Sequence, residues 1–316
     1  MELHAQDEGR HAAGPEELWG ESWYHDFAAE DGSYGGYLRL GLYPNLHPNP
    51  GVAWYWVHLV RRDQPLVVIR DHEVVCPNPT RGAVEVASAR VRGTWKPVQP
   101  LRAYRIATEG TGVALANPAA AFHGEQGPDV SISLDLTWEG AAPCFAYGAT
   151  TRFEQSAWVT GEMTIDGERI AVHCPGQRDH SWGVRDWWAF PWVWCSGRLD
   201  DGTWWHCVRS ALPGPEAFQT GYVVDPGGTD WREITTIALD YELDLEQMPT
   251  SVDLTVGDLE LRITPELHAP VLLTSSDGAK TSRFPRAMCA VTTPDGRKGH
   301  CWLEFNFPEG VEHLKS

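Results

Sequence analysis

The sequence predicts an all-β protein made of two antiparallel domains of the barrel or sandwich kind. Three observations carry that expectation. Short β-rich runs recur with Gly-containing turns between them, which is how antiparallel hairpins read. Helical periodicity is scarce: Pro15-Glu16-Glu17-Leu18-Trp19 could open one short helix, and little else could. The length of 316 residues is long for one barrel and comfortable for two of roughly 150 each.

Taken in order, the first twelve residues read as frayed. Prolines at 44–50 and 97–100 mark ordered loops. Asp166-Gly167 joins the run Glu162–Ile165 to Glu168–Val172. His173-Cys174-Pro175-Gly176 then interrupts the strand pattern and sets the expected boundary, giving domains of 1–172 and 173–316. Asp201-Gly202 sits between two Trp-rich runs. As a two-residue turn it would set Arg198 opposite Trp205, Ser196 opposite Cys207 and Trp194 opposite Arg209. Trp192, Trp194, Ser196 and Arg198 would then share a face with Trp205, Cys207 and Arg209, forming an aromatic–cation ladder. That ladder is either a cross-strand stack or a pocket wall. Cys195 and Cys207 would point to opposite faces, and in a barrel only the inward face could meet a ligand. Gly257-Asp258 joins Ser251–Val256 to Leu259–Ile263, and Pro294-Asp295-Gly296 precedes the strand-like Cys301–Phe305.

Composition excludes several classes. Lys and Arg number 25 against 43 Asp and Glu, a net charge of −18. That argues against nucleic acid or an anionic bilayer as partner and suits a small apolar or neutral ligand. The acidic N-terminus lacks the apolar core of a signal peptide, and no apolar run approaches the ~20 residues of a membrane span. Seven cysteines, odd in number and without a Cys-x-x-Cys pair, fit a reduced cytoplasmic protein. The Gly-rich fingerprints of dinucleotide and P-loop sites and the esterase Gly-x-Ser-x-Gly are missing, so no cofactor is expected. His123-Gly124-Glu125 is half of a zinc-deaminase signature without its Cys partner motif. His173, Cys174 and His180 match no standard metal spacing, so no metal is expected either.

The densest chemistry lies in Gly176–Trp188, where two Asp, two Arg, one His and three Trp fall within thirteen residues. Of the sixteen Trp, seven lie between 182 and 205. Such a mixture suits a dry pocket holding a few polar groups in fixed places; the plainer reading is an Arg–Asp network pinning a turn.

At Gln177-Arg178-Asp179-His180-Ser181-Trp182-Gly183-Val184-Arg185-Asp186-Trp187 the chain resembles the lipocalin-like hydratase superfamily. This group includes carotenoid hydratases, kievitone hydratase, AttH-like proteins and fungal Diels–Alderases. Weaker matches lie at Trp19–Tyr24, Gly35–Tyr37, Pro44-Asn45 and Gly299–Asn306. The resemblance implies two tandem lipocalin-like (calycin-type) barrels with a ligand site in or between them. It also implies chemistry on isoprenoid or polyketide-like molecules without a redox cofactor.

Hydrating an isolated alkene starts with protonation of carbon, which needs a carboxylic acid still un-ionised near neutral pH. Burial among indoles would favour that form and a nearby Arg would oppose it, so the acid should be the carboxyl least engaged by arginine. The candidates rank Asp179, Glu304, Asp186, with Asp26 a further competitor. A cation formed on the substrate would need electron-rich faces, for which Trp182, Trp187, Trp192 and Trp194 are candidates. His180 or Tyr24 could position or deprotonate the attacking water. Trp205, Arg178 and Arg185 complete the candidate binding set. The expectation is a cofactor-independent hydratase, dehydratase, isomerase or cyclase acting on a terpenoid-like alkene or alcohol. The rivals are a non-catalytic carrier and a Diels–Alderase-like cyclase that only shapes its substrate.

Overall fold

The computed structural model describes residues 1–46, 49, 51–76, 82–211, 218–275 and 277–314. Of the proline-rich stretch 44–50, residues 47, 48 and 50 lie outside that set. The described chain is almost entirely β, as expected, in two large curled antiparallel sheets.

The first sheet holds β1 (Trp19–Ala28), β2 (Tyr34–Leu42), β3 (Val52–Arg61), β4 (Leu66–Val75), β5 (Val84–Ala87) and β6 (Val91–Gln99). It continues through β7 (Ala103–Leu115), β8 (Asp129–Gly140), β9 (Phe145–Ala146), β10 (Arg152–Ile165) and β11 (Glu168–Val184). Strand β11 pairs with both β10 and β1, which closes the sheet on itself. The second sheet holds β12 (Trp192–Leu199), β13 (Trp204–Ser210), β14 (Phe218–Val224), β15 (Arg232–Ile234), β16 (Ile237–Leu243), β17 (Pro249–Val256) and β18 (Leu259–His268). A hairpin of β19 (Val271–Thr274) and β20 (Thr281–Phe284) is followed by β21 (Arg286–Thr292) and β22 (Lys298–Pro308). Its strand order runs from β15 through β12, β22 and β18 to β16, an open path curled around its own core.

Period-two alternation divides most of the buried apolar residues into three large clusters, beside a small fourth of Ala119, Phe122 and Met248. Trp23, Tyr55, Trp95 and Trp138 fill the first barrel. Trp205, Cys289, Leu303 and Phe305 fill the second. The third cluster, with Tyr37, Trp56, Trp194, Tyr222 and Trp302, lies between the outer faces of the two sheets. Every residue of β1 is therefore buried, inward- and outward-pointing alike.

Two hairpins form where the turns predict them, with Ile165 paired to Glu168 and Val256 to Leu259. Asp166, Gly167 and Gly257 take the positive φ that such turns need. Other expectations are corrected. Strand β11 runs unbroken through His173–Gly176, because its backbone stays paired with β10 there, so the change of sheet falls between Val184 and Trp192. Residues 15–18 form turns rather than a helix; the short helices are 3-10 turns at Ala5–Glu8 and Pro118–Phe122. The first residues are not frayed, since Glu8 pairs with the buried Arg178 and His11 with Glu21. Pro97 lies within β6, at a register shift against β7 that spares it a ladder donor.

The hairpin at 201–202 is also revised. Leu199 N donates to Thr203 O at 2.9 Å and closes a three-residue loop with Gly202 at φ +99°. Trp194 therefore faces Val208, Ser196 faces His206 and Arg198 faces Trp204. One residue of slip turns the strand over. Trp205 and Cys207 enter the second sheet's core, while Trp204, His206 and Val208 take the ladder face. Cys195 and Cys207 share the inward face and remain free thiols.

Candidate functional site between the sheets

Alternation along β11 sorts the dense motif into two sets. Arg178 and His180 point into the first barrel; Gln177, Asp179 and Ser181 point outward, toward the second sheet. Register carries the outward face across neighbouring strands, aligning Asp179 with Tyr24 of β1 and Glu154 of β10, and Ser181 with Ser22 and Arg152. From the second sheet, Trp192 and Trp194 of β12 stand opposite Asn306 and Glu304 of β22, with Arg286 of β21 beside Glu304. The segment 185–191 crosses from one sheet to the other over this seam.

Between these walls lies a cavity of about 230 Å³. It is thus built on the outer faces of two sheets, whereas the hairpin pattern in the sequence points to a ligand only on a barrel's inward face. Asp179, Glu304, Asp186 and Tyr24 line it, as do Arg185, Trp187, Trp192 and Trp194.

The other candidates lie elsewhere. His180 sits inside the first barrel, with Nδ1 2.8 Å from Asp7 O and Nε2 3.0 Å from Glu21 Oε1, so it cannot position water in the cavity. Arg178 is beside it, paired with Glu8 at 2.8 Å and donating to Gln155 at 2.7 Å. Trp182 stacks on His11, 3.8 Å between ring centroids. Trp205 is in the second core. Asp26 faces a separate, much smaller gap between the sheets, where its Oδ1 accepts from Gln177 N at 2.8 Å.

The ligand atoms of His11, Glu21 and His180 converge within 4.8 Å, a nitrogen–oxygen set of the kind a transition metal takes. They already satisfy one another: Glu21 meets His11 Nδ1 at 2.8 Å and His180 Nε2 at 3.0 Å. Burial alone would raise Glu21, but those histidine contacts outweigh it and hold the carboxyl below its ordinary range. His173 and Cys174 take no part, as Cys174 belongs to the first core.

At the cavity wall, Arg152 is shared by two carboxylates. Its Nε donates to Glu154 Oε1 at 2.8 Å, and its Nη2 donates to Asp179 Oδ2 at 2.7 Å. Glu154 also accepts from Trp194 Nε1 at 3.0 Å, Gln177 Nε2 at 3.0 Å and Tyr147 OH at 3.2 Å. Burial would raise Glu154, yet Arg152, His206 and these donors hold it low. Among the described residues, Asp179 has a single donor, Arg152. Burial lifts it to about 7, Arg152 only partly opposing and the Glu154 charge adding to the rise. The proton of this pair therefore rests on Asp179. Burial also keeps the Tyr24 phenol protonated.

Glu304 is more firmly bound. Its Oε1 accepts from Trp192 Nε1 at 2.8 Å, and its Oε2 pairs with Arg286, which stacks on Tyr24 and Tyr37. Asp186 caps the backbone N–H of Trp188 at 3.0 Å in the half-buried crossover segment.

Sequence reasoning missed Arg39, Arg152, Arg286, Tyr147 and Glu154. Arg39 between Leu38 and Leu40 reads as the polar, water-facing position of an alternating strand. Nothing local distinguishes an outward face that meets water from one that meets a second sheet.

No curated protein matches the sequence. Among solved structures, the chain is similar to an AttH-like protein from Nitrosomonas europaea, with 15% identity, 95% of each chain covered and a TM-score of 0.65. It is similar to kievitone hydratase from Nectria haematococca at 12% identity and TM-score 0.60, covering 96% of this chain and 93% of that one. It is similar to CghA at 12% identity and TM-score 0.58, covering 94% and 90%. These likenesses show the fold alone, the tandem lipocalin-like architecture expected from the sequence. With a family match over residues 4–309, the chain belongs to the family described as Domain of unknown function (DUF7064).

Proposed function

We propose that the cavity is the active centre of a cofactor-independent hydro-lyase or isomerase that protonates a terpenoid-like alkene or alcohol. One observation carries this reading: Asp179 lines the cavity while buried, with Arg152 Nη2 2.7 Å from its Oδ2 to hold the conjugate base, and burial raises its carboxyl to about 7. In the hydration direction, Asp179 gives its proton to one alkene carbon, the π bond breaks and the other carbon becomes cationic. The ring faces of Trp187, Trp192 and Trp194 stabilise that charge, each desolvated cation–π contact contributing about 2 kcal/mol. Water adds to the cation, held by the Tyr24 hydroxyl as a hydrogen-bond partner rather than a base. The Asp179 carboxylate then takes the water's proton and the acid is restored. Run backwards, the same steps dehydrate an alcohol; without water they isomerise or cyclise.

Turnover of a panel of terpene alkenes and alcohols in deuterated water tests this directly, because protonation leaves deuterium on carbon. Asp179→Asn should lower kcat about 10²–10⁴-fold, the usual contribution of a general acid, with ligand binding retained. Unchanged turnover would leave a cyclase that only shapes its substrate, and binding without any turnover in the unmodified protein would leave a carrier.

A further inference from the structure

The net charge of −18 suggests a neutral guest, but the charge at the cavity itself points the other way. Four guanidiniums line it, those of Arg39, Arg152, Arg185 and Arg286, against three carboxyls, those of Asp179, Asp186 and Glu304. Arg152 and Arg286 are each paired with a carboxylate. Among the described residues, Arg39 and Arg185 pair with none.

Arg39 is 2% exposed. Its Nη2 donates to the Tyr43 hydroxyl, and its guanidinium lies 4.6 Å from the Trp56 ring and 4.7 Å from that of Trp187. Its Nη1 is buried with no hydrogen-bond partner. Gly41 leaves the room for that nitrogen, since a Cβ there would stand 2.6 Å from it. Arg185 donates to the backbone carbonyls of Val184, Thr151 and Trp182, and it lies close enough to Tyr43 to interact with it by charge. Both guanidiniums line the cavity, and Asp179, which also lines it, acts on each through charge without lying within pairing distance of either. A buried charge without a counter-ion is unfavourable, and stacking on rings offsets only part of that. Arg39, buried with one nitrogen unpartnered, and Arg185, half-buried, have no carboxylate within pairing distance among the described residues, Asp179 acting on them only across a longer gap, so both are positioned to take a further anion.

We propose that Arg39 and Arg185 form an anion subsite, and that the ligand is an amphipathic organic acid whose carboxylate, or equally acidic enol, docks against these two guanidiniums. Its apolar body lies along Trp187, Phe190 and Trp192. This names the substrate class of the cavity and rests on reading that cavity as the ligand site.

Isoprenoid carboxylic acids of ten, fifteen and twenty carbons and their methyl esters, titrated into the full chain by tryptophan quenching, test it. At least one acid should bind about tenfold or more tighter than its ester, as expected for a charge-assisted pair in a dry site. Arg39→Gln should bring acid and ester within about twofold by weakening the acid alone, and Arg39→Lys should retain the preference. Equal affinity of acid and ester at every length, no acid binding, or an Arg39→Gln protein that weakens both alike overturns the subsite. The readout is binding, so the subsite stands if Asp179→Asn retains full turnover and only the acid-catalysis reading falls. Conversely, equal acid and ester affinities remove the subsite and leave that reading in place.

Discussion

The two faces of β11 put similar residues to opposite uses. Inward, Arg178 and His180 find complete partners in Glu8, Gln155 and Glu21, and the network ties the N-terminal segment into the mouth of the first barrel. Outward, Asp179 shares one guanidinium with Glu154, and the neighbouring Arg39 forms no ion pair among the described residues. A saturated network holds the fold. An unsaturated one can respond to a guest, because its unmet demand is met only when something binds. Charge density in the motif thus marks both tasks, and the parity of the residue number decides which.

The sharpest break between the faces is stability. Arg178→Met leaves the Glu8 carboxylate buried without its cation and should cost about 3–5 kcal/mol, read as a lower denaturant midpoint. Asp179→Asn, on the other face, should leave the midpoint nearly unchanged below about pH 4, where the carboxyl is protonated in folded and unfolded chain alike, while lowering turnover about 10²–10⁴-fold.

Acidity should separate the faces next, with opposite signs. Glu21 is depressed in the folded protein, so its stabilisation is present above its unfolded value of about 4.3 and is lost as pH falls through the lower folded value. Asp179 keeps its proton to about 7, whereas an unfolded Asp releases it near 3.9. The native state therefore binds more protons across that window, and stability falls as pH rises from about 4 to about 7. Melting temperature against pH should lose its acid limb in Glu21→Gln and its neutral decline in Asp179→Asn. If the cavity is the proposed active centre, kcat/KM for protonation by the unmodified protein should fall above about pH 7.

The smallest expected difference concerns Ser181, whose Oγ lies 3.2 Å from that of Ser22 at the cavity edge. Ser181→Ala should cost about 1 kcal/mol or less and leave the melting profile's shape intact. A larger loss would mean that the outward face is as tightly knit as the inward one.

Much of the fold was legible because turn chemistry is local. Asp166-Gly167 and Gly257-Asp258 announce their hairpins through residues that accept positive φ. The turn at 201–202 misled because Asp-Gly also closes a three-residue loop, and one added residue exchanges Trp205 for Trp204 on the seam. The motif itself was located from sequence, and alternation does place Asp179 and His180 on opposite faces. What no local pattern reveals is coverage. Arg39, Arg152 and Arg286 sit where an amphipathic strand shows polar groups to water, and only the second sheet turns those positions into an interior.

The binding chamber is a seam, not a lumen. Each barrel keeps its own packed centre, so the chamber's width depends on how one barrel leans against the other. Replacements along the contact can therefore resize or re-tune the chamber without loosening either centre. A family built this way can change guests while leaving both scaffolds untouched.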